Sequence, residues 1–254
     1  MNSWEIDLSG KATLVTGGSR GLGKAIALAM AEKGAKVAIC GRKQENLDMA
    51  EKEFKEKGFD VLAQVAHVGK PEQLESLFQA IDQSFGRLDI LVNNVGTNIF
   101  TRSVSEADEK LWDKLIETNL KSVFLVSARA SKRMKKQGSG KIVNISTIAA
   151  RKAAPGMGIY SVAKAGVEML TKVLAAELAP DHINVNAVAP GMVKTQFSKP
   201  FWSNESMLQE ITRTIPMGRI AETEDVVGAV LFLSSSLSDF ITGDIITVDG
   251  GFMA

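Results

Sequence analysis

Short apolar runs alternate with longer amphipathic stretches from one end of the chain to the other. Residues 11–16, 36–40, 60–66, 89–93, 141–146, 183–188 and 245–248 are strand candidates, rich in aliphatic side chains and too short for helices. Between them, 24–33 and 44–57 carry helical patterns stopped by Gly34 and Gly58, and another helix opens at Pro71. Residues 106–136, 161–179 and 222–234 supply three more. Strands joined by helices of this length pair in parallel, and their near-continuous apolar character requires cover on both faces. The pattern predicts an α/β fold, a doubly wound parallel sheet of about seven strands in a single domain spanning 1–254. No linker interrupts it, and 191–220 is the longest stretch without periodicity.

Composition removes several function classes. Thirty Lys and Arg against 29 Asp and Glu leave a net charge of +1, so nothing in the overall balance drives binding to nucleic acid or an anionic membrane. No apolar run reaches the ~18 residues of a membrane span. Met1-Asn2-Ser3-Trp4-Glu5 lacks the basic start and apolar stretch of a secretory signal, which points to the cytoplasm. Cys40 stands alone and the chain has two histidines, a poor inventory for a disulfide or a metal.

Chemistry begins at the first strand–helix junction, Thr16-Gly17-Gly18-Ser19-Arg20-Gly21-Leu22-Gly23. Glycines there let the backbone approach a pyrophosphate, and the following helix offers unpaired N–H groups to its charge. A plain tight turn would also use glycines, but this position, in a Rossmann-type order of elements, favours a dinucleotide. A site selective for NAD expects a carboxylate at the end of the second strand. That end reads Cys40-Gly41-Arg42-Lys43, with Arg20 as a further cation nearby. Guanidinium groups suit a 2′-phosphate, so the cofactor expected is NADP(H).

Tyr160, the only tyrosine, precedes Lys164 by four residues, which places both on one face of a helix. An ammonium nearby favours phenolate and is expected to lower the tyrosine pKa from about 10. A phenol so tuned can exchange a proton with a carbonyl or alcohol oxygen.

Thr16-Gly17, Gly21 and Gly23, Asn93-Asn94-Val95-Gly96, Asn119, Tyr160-Ser161-Val162-Ala163-Lys164, Pro190-Gly191 and Val248-Asp249-Gly250-Gly251 occur in order along nearly the whole chain. In these the sequence resembles the short-chain dehydrogenase/reductase family, and His67-Val68-Gly69-Lys70 and Asn94-Val95-Gly96-Thr97-Asn98 are similar to its NADP-dependent carbonyl, retinol and tropinone reductase branches. The resemblance implies that Tyr160 is the acid/base, that Lys164 binds the nicotinamide ribose and that Asn119 anchors a proton-relaying water. It implies cofactor contacts from Gly17, Ser19, Arg20, Gly21, Leu22, Gly23, Arg42, Val68, Asn93, Gly96, Pro190, Gly191, Val193 and Thr195. His67 stands where most members have an aspartate near the adenine. The family's substrate-orienting serine lies thirteen residues before the tyrosine; here that position is Thr147, with Ser146 as the neighbouring alternative.

The resemblance also makes 191–220 a substrate lid. Its Met192, Phe197, Phe201, Trp202 and Met207, with Met157, predict an apolar pocket, with Thr147, Met157, Phe197 and Trp202 touching substrate; the alternative for Phe201 and Trp202 is that they fasten the lid helix to the core. The function expected is hydride transfer between NADP(H) and a ketone or secondary alcohol, in a homotetramer. A 3-oxoacyl-carrier-protein reductase is the alternative enzyme; its docking surface would be Lys132, Arg133, Lys135 and Lys136, a cluster that also suits a helix C-terminus. A nucleotide-binding protein without chemistry is the alternative that keeps only the fold.

Overall fold

The computed structural model describes residues 4–254. Seven strands form one sheet in the order β3-β2-β1-β4-β5-β6-β7: β1 (Ala12–Thr16), β2 (Lys36–Gly41), β3 (Val61–Val65), β4 (Ile90–Asn93), β5 (Gly140–Ile145), β6 (Ile183–Pro190) and β7 (Ile245–Val248). Every neighbouring pair is parallel. Side chains alternate across the sheet, so Leu14 and Val15 of β1 enter different cores. On one face α1 (Gly21–Glu32), α2 (Gln44–Glu56) and α9 (Thr223–Ser234) bury Ile26, Met30, Leu47, Phe54, Val226 and Val230. On the other α3 (Pro71–Phe85), α5 (Ser122–Gln137) and α6 (Gly158–Leu178) bury Leu74, Phe78, Val126, Met134 and Leu178. Two dry faces explain why the strands read as unbroken apolar runs.

The strand order reverses direction between β1 and β4, and a crevice opens at the carboxyl ends of the strands at such a switch point. The expected helix over 106–136 is divided. Asp108 caps α4 (Glu109–Ile116) by accepting from the Leu111 N–H at 2.7 Å. A π turn over Glu117–Lys121 then leads into α5. The fully buried Asn119 amide donates to the carbonyls of Leu115 and Thr97 at 2.8 and 2.9 Å, and such an inserted group accompanies the widened ladder. Residues 191–220 contain two short helices, α7 (Lys199–Trp202) and α8 (Glu205–Arg213), the latter capped by Asn204. No described helix is long and apolar enough to cross a membrane.

Candidate active site

A cleft of about 1330 Å³ runs along the carboxyl ends of the strands. It exceeds the roughly 300–1,000 Å³ of ordinary small-molecule sites, which leaves room for two ligands side by side. Gly17, Ser19, Arg20, Gly21, Leu22, Gly23, Arg42, His67, Val68 and Gly96 line it, as do Pro190, Gly191, Val193 and Thr195.

The turn between β1 and α1 fits a pyrophosphate. Gly21 has φ +54°, and a Cβ there would project toward Thr195 on the opposite wall, 3.7 Å away. The first turn of α1 carries neither an acidic residue nor a capping side chain, so no side chain of that turn competes with an anion for its N–H groups. Asn94 fastens this turn to β4: its amide donates to the Thr16 carbonyl at 3.0 Å, and its N–H donates to Thr16 Oγ1 at 3.0 Å. At the β2 end of the cleft stand Arg20, Gly41, Arg42, Lys43 and Asn46, with no carboxylate among them. His67 makes a local contact: its Nδ1 accepts from the Gly69 N–H at 3.1 Å, the acceptor role that an aspartate side chain also plays in a turn.

Asn93 departs from expectation. It is buried, its amide donates to Ser127 Oγ at 2.9 Å and Asn144 Oδ1 at 2.8 Å, and it is not part of the cleft wall. Being in register with Asn144 across β4 and β5, it finds a polar partner inside the sheet, and Asn144 continues the chain to Thr171. Asn94, one residue later, lines the cleft instead.

The chemistry-bearing groups gather where α6 passes the end of β5. Tyr160 and Lys164 are both buried and both line the cleft, with the ammonium 5.8 Å from the phenol ring centre. Lys164 Nζ donates to the Ile145 carbonyl at 2.6 Å. Burial pushes the Lys164 pKa from 10.5 down to about 8 and pushes the Tyr160 phenol above its ordinary range. The expected lowering of Tyr160 by Lys164 is therefore reversed: loss of water around the phenolate outweighs an ammonium that is itself desolvated. A Cβ on Gly96 would lie 3.3 Å from Asn119 Oδ1 and 3.7 Å from Lys164 Nζ, so a side chain there would crowd the Asn119 amide and touch the lysine. Asn119 stands behind the cleft wall. Its Oδ1 accepts from the Thr97 N–H at 2.9 Å while its amide donates to the carbonyls of Thr97 and Leu115, so both amide protons are committed within the protein.

Thr147 Oγ1 accepts from the Ala149 N–H at 3.3 Å and lines the cleft, its own O–H remaining available as a donor. Ser146 donates to Glu168 Oε1 at 3.0 Å, so its hydroxyl proton is already committed.

Around them Met157, Met192, Phe197, Phe201, Ile211, Ile215 and Phe252 form a mainly apolar wall, Phe197 lying 6.2 Å from Tyr160 between ring centres. Trp202 is the second departure. It is absent from the wall; its indole N–H donates to the Thr195 carbonyl and to Ser198 Oγ, both at 3.1 Å. The half-buried indole takes the nearest acceptors, and those belong to the turn that precedes α7. Lys152 and Glu210, which the sequence did not single out, also line this end, and Lys152 Nζ sits 4.4 Å from the Phe252 ring centre.

The family model described as Enoyl-(Acyl carrier protein) reductase matches residues 17–253. Human dehydrogenase/reductase SDR family member 4 is 39% identical over 244 residues, 96% of this chain and 88% of that protein. A tropinone reductase homologue from Arabidopsis thaliana is 39% identical over 246 residues, 96% and 93% of the two chains. Among solved structures, a gluconate 5-dehydrogenase from Burkholderia cenocepacia in complex with NADP and tartrate superposes with a TM-score of 0.93, at 31% identity over 98% of this chain and 97% of that one. A seven-stranded parallel sheet, a glycine turn at its switch point, the Tyr160–Lys164 pair and these likenesses all converge: the chain belongs to the short-chain dehydrogenase/reductase family of nicotinamide-dependent oxidoreductases.

Proposed function

We propose that this protein is an NADP(H)-dependent reductase of ketones with substantial apolar bulk, working reversibly on the matching secondary alcohols. The observation that carries the cofactor choice is the β2 end of the cleft, where Arg20, Arg42 and Lys43 stand without any carboxylate. A 2′-phosphate supplies the anion that such a group of cations would attract, whereas the bare ribose of NADH would leave them unanswered. The Burkholderia cenocepacia relative in complex with NADP is consistent with this choice.

The reduced nicotinamide, when bound, is the hydride source. The chain's own residues handle the oxygen. Thr147 donates its O–H to the substrate carbonyl, and Tyr160 delivers the proton. A phenol raised by burial is fully protonated at neutral pH, the state required of a general acid in reduction. Lys164, tied to the Ile145 carbonyl, supplies positive charge beside the ring as phenolate character develops. Asn119 acts by holding Thr97, and with it the Gly96 backbone, against Lys164. Residues 191–220 close over the substrate as a lid and contribute Met192, Phe197, Phe201, Ile211 and Ile215 to an adaptable apolar wall.

The basic cluster gives no support to a carrier-protein reductase. Arg133 is paired with Asp82 and Lys135 with Asp181. The cluster ends α5, whose Gln137 bonds the backbone of Leu88 just before β4, at the amino ends of the strands and so opposite the cleft. Assembly into a homotetramer is also proposed. It is supported by Phe124 of α5 and by Val162, Met169 and Val173 along one stripe of α6, all exposed and apolar.

Turnover of NADPH against a panel of ketones, keto acids and acyl thioesters tests the assignment. Apolar ketones should be reduced, and Tyr160→Phe should cut turnover at least ~100-fold while NADPH still binds, the scale of losing a general acid. Turnover of the Phe variant within a few-fold of the parent refutes the mechanism.

A further inference from the structure

We infer that Glu168 is a positioning residue for the substrate-facing hydroxyl of Thr147, an inference that rests on the proposed role of Thr147 and goes beyond it. Tyr160, Lys164 and Glu168 follow one another at intervals of four residues along α6, so their side chains form one row directed at the end of β5. Tyr160 faces the cleft. One turn on, Lys164 grips the carbonyl of Ile145 at 2.6 Å, and a further turn on, Glu168 grips the hydroxyl of the next residue, Ser146, at 3.0 Å. Successive turns of the helix therefore hold successive residues of the strand end, and the residue after them is Thr147.

Glu168 also holds the far side of Thr147. Its second carboxylate oxygen accepts from Arg151 Nε at 2.9 Å, and Arg151 Nη1 donates to Thr247 Oγ1 of β7 at 3.0 Å. Thr147 thus lies between two residues, Ser146 and Arg151, pinned to the two oxygens of one carboxylate. The short 3₁₀ turn Ile148–Ala150 spans the interval, closed by the Ala150 N–H donating to the Thr147 carbonyl at 3.0 Å. Ser146 is buried and the Glu168 side chain is only 12% exposed, so the bond between them is shielded from water and holds direction well, while the bond to Arg151 lies nearer the surface.

This arrangement accounts for which of two adjacent hydroxyls serves the substrate. Ser146 spends its proton on Glu168, and backbone pairing with the Val188 carbonyl at 2.7 Å keeps it in the sheet. Thr147 has extended backbone, φ −168° and ψ 154°, and retains a free O–H at the cleft. Without Glu168, Ser146 regains a free hydroxyl, the turn loses both anchors, and the donor geometry at Thr147 is no longer defined. Displacements of about 1 Å in such a contact cost on the order of a hundredfold in rate.

The test is a double-mutant cycle read by steady-state reduction of the best ketone in the panel, with NADPH affinity and melting temperature measured in parallel. Glu168→Ala should lower kcat/KM for the ketone at least ~10-fold and leave NADPH affinity within about twofold, because the glycine turn and β2 end are remote from it. In a Thr147→Ala background the same substitution should cost less than about twofold, since the hydroxyl it positions is gone. Glu168→Gln, which keeps an acceptor for Ser146, should recover most of the activity. Should Glu168→Ala fail to fold, Ser146→Ala with and without Thr147→Ala makes the same comparison on a smaller change. Equal losses in the parent and Thr147→Ala backgrounds would overturn the inference, as would a loss that follows NADPH affinity. An active Tyr160→Phe enzyme would instead overturn the proposed reaction and leave the positioning question separate.

Discussion

The proposed preference for NADP(H) rests on so few side chains that it can be reversed by design. Gly41→Asp with Arg42→Ile places a carboxylate at the end of β2 and removes one of the three cations. Gly41 does not have a left-handed backbone, and its new Cβ would lie 3.1 Å from Ser19 Oγ, the rotatable end of a small side chain, so the aspartate can be accommodated. Hydrogen bonds to charged groups contribute about 1.5–3 kcal/mol each, and Arg42 is exposed at the cleft rim, which favours the lower half of that range. With ~1 kcal/mol of repulsion between the introduced carboxylate and a 2′-phosphate, NADPH should weaken by about a hundredfold at 1.4 kcal/mol per factor of ten. A new hydrogen bond from the carboxylate to the ribose hydroxyls should strengthen NADH by about tenfold. Together the ratio of kcat/KM for the two cofactors should move by roughly three orders of magnitude toward NADH. Initial rates with each cofactor at saturating ketone, and fluorescence titration of each onto the enzyme, measure the two halves separately. A parent enzyme that already prefers NADH, or a double variant that keeps the parent's ratio, would refute the reading of the β2 end.

Lys164 carries a folding penalty with a definite sign. Its folded pKa, about 8, lies below the ordinary 10.5, so below pH 8 the native state bears the full cost of a buried ammonium, and that cost recedes as pH rises from 8 toward 10.5. Stability of the cofactor-free parent should increase over that window. Lys164→Met should flatten the increase and melt no lower than the parent at pH 7, with the gain bounded at about 3 kcal/mol and turnover lost; a steep rise retained in the Met variant contradicts the assignment. Trp202→Ala should raise KM for both ketone and cofactor, since it frees the Thr195 turn, and should leave the order of preference among ketones unchanged. A reordered preference would mean that Trp202 touches substrate after all. Light scattering at micromolar concentration should give four times the 27.3 kDa chain mass, and a monomer would refute the proposed assembly.

The elements of the fold are legible in the sequence because each strand is bounded by residues that stop regular structure and each helix buries one face. Leu14 and Val15 can be assigned to a doubly covered strand from hydrophobicity alone, since no polar alternation interrupts 12–16. The break in 106–136 is not legible. Its cause is a contact between Asn119 and Thr97, 22 residues apart, and nothing in the local helical pattern announces it. Within 191–220, α7 is hidden for a different reason: it has only four residues, less than the apolar periodicity needs to show itself.

For the site, spacing on a single helix is readable and direction in space is not. Four-residue intervals bring Tyr160 and Lys164 together on paper, and the same interval leads on to Glu168, but its partners Ser146 and Arg151 come from another element. Asn93 ends β4 and Asn94 follows it, and the register of Asn93 with Asn144 keeps the first inside the sheet while the second reaches the cleft. Trp202 has the size and the place in the lid of a substrate contact, yet an indole has a donor to satisfy, and the Thr195 carbonyl satisfies it. Lys152 reaches the wall from the loop between β5 and α6, with its ammonium over the Phe252 ring. Lys152 is exposed there, whereas Tyr160, the proposed acid, is buried. On the proposed mechanism the apolar wall therefore bears on the part of a ketone nearest its carbonyl. If a keto acid were strongly preferred over a neutral ketone of equal bulk, and Lys152→Ala abolished that preference, the apolar-substrate proposal would fall while the Tyr160 chemistry stood.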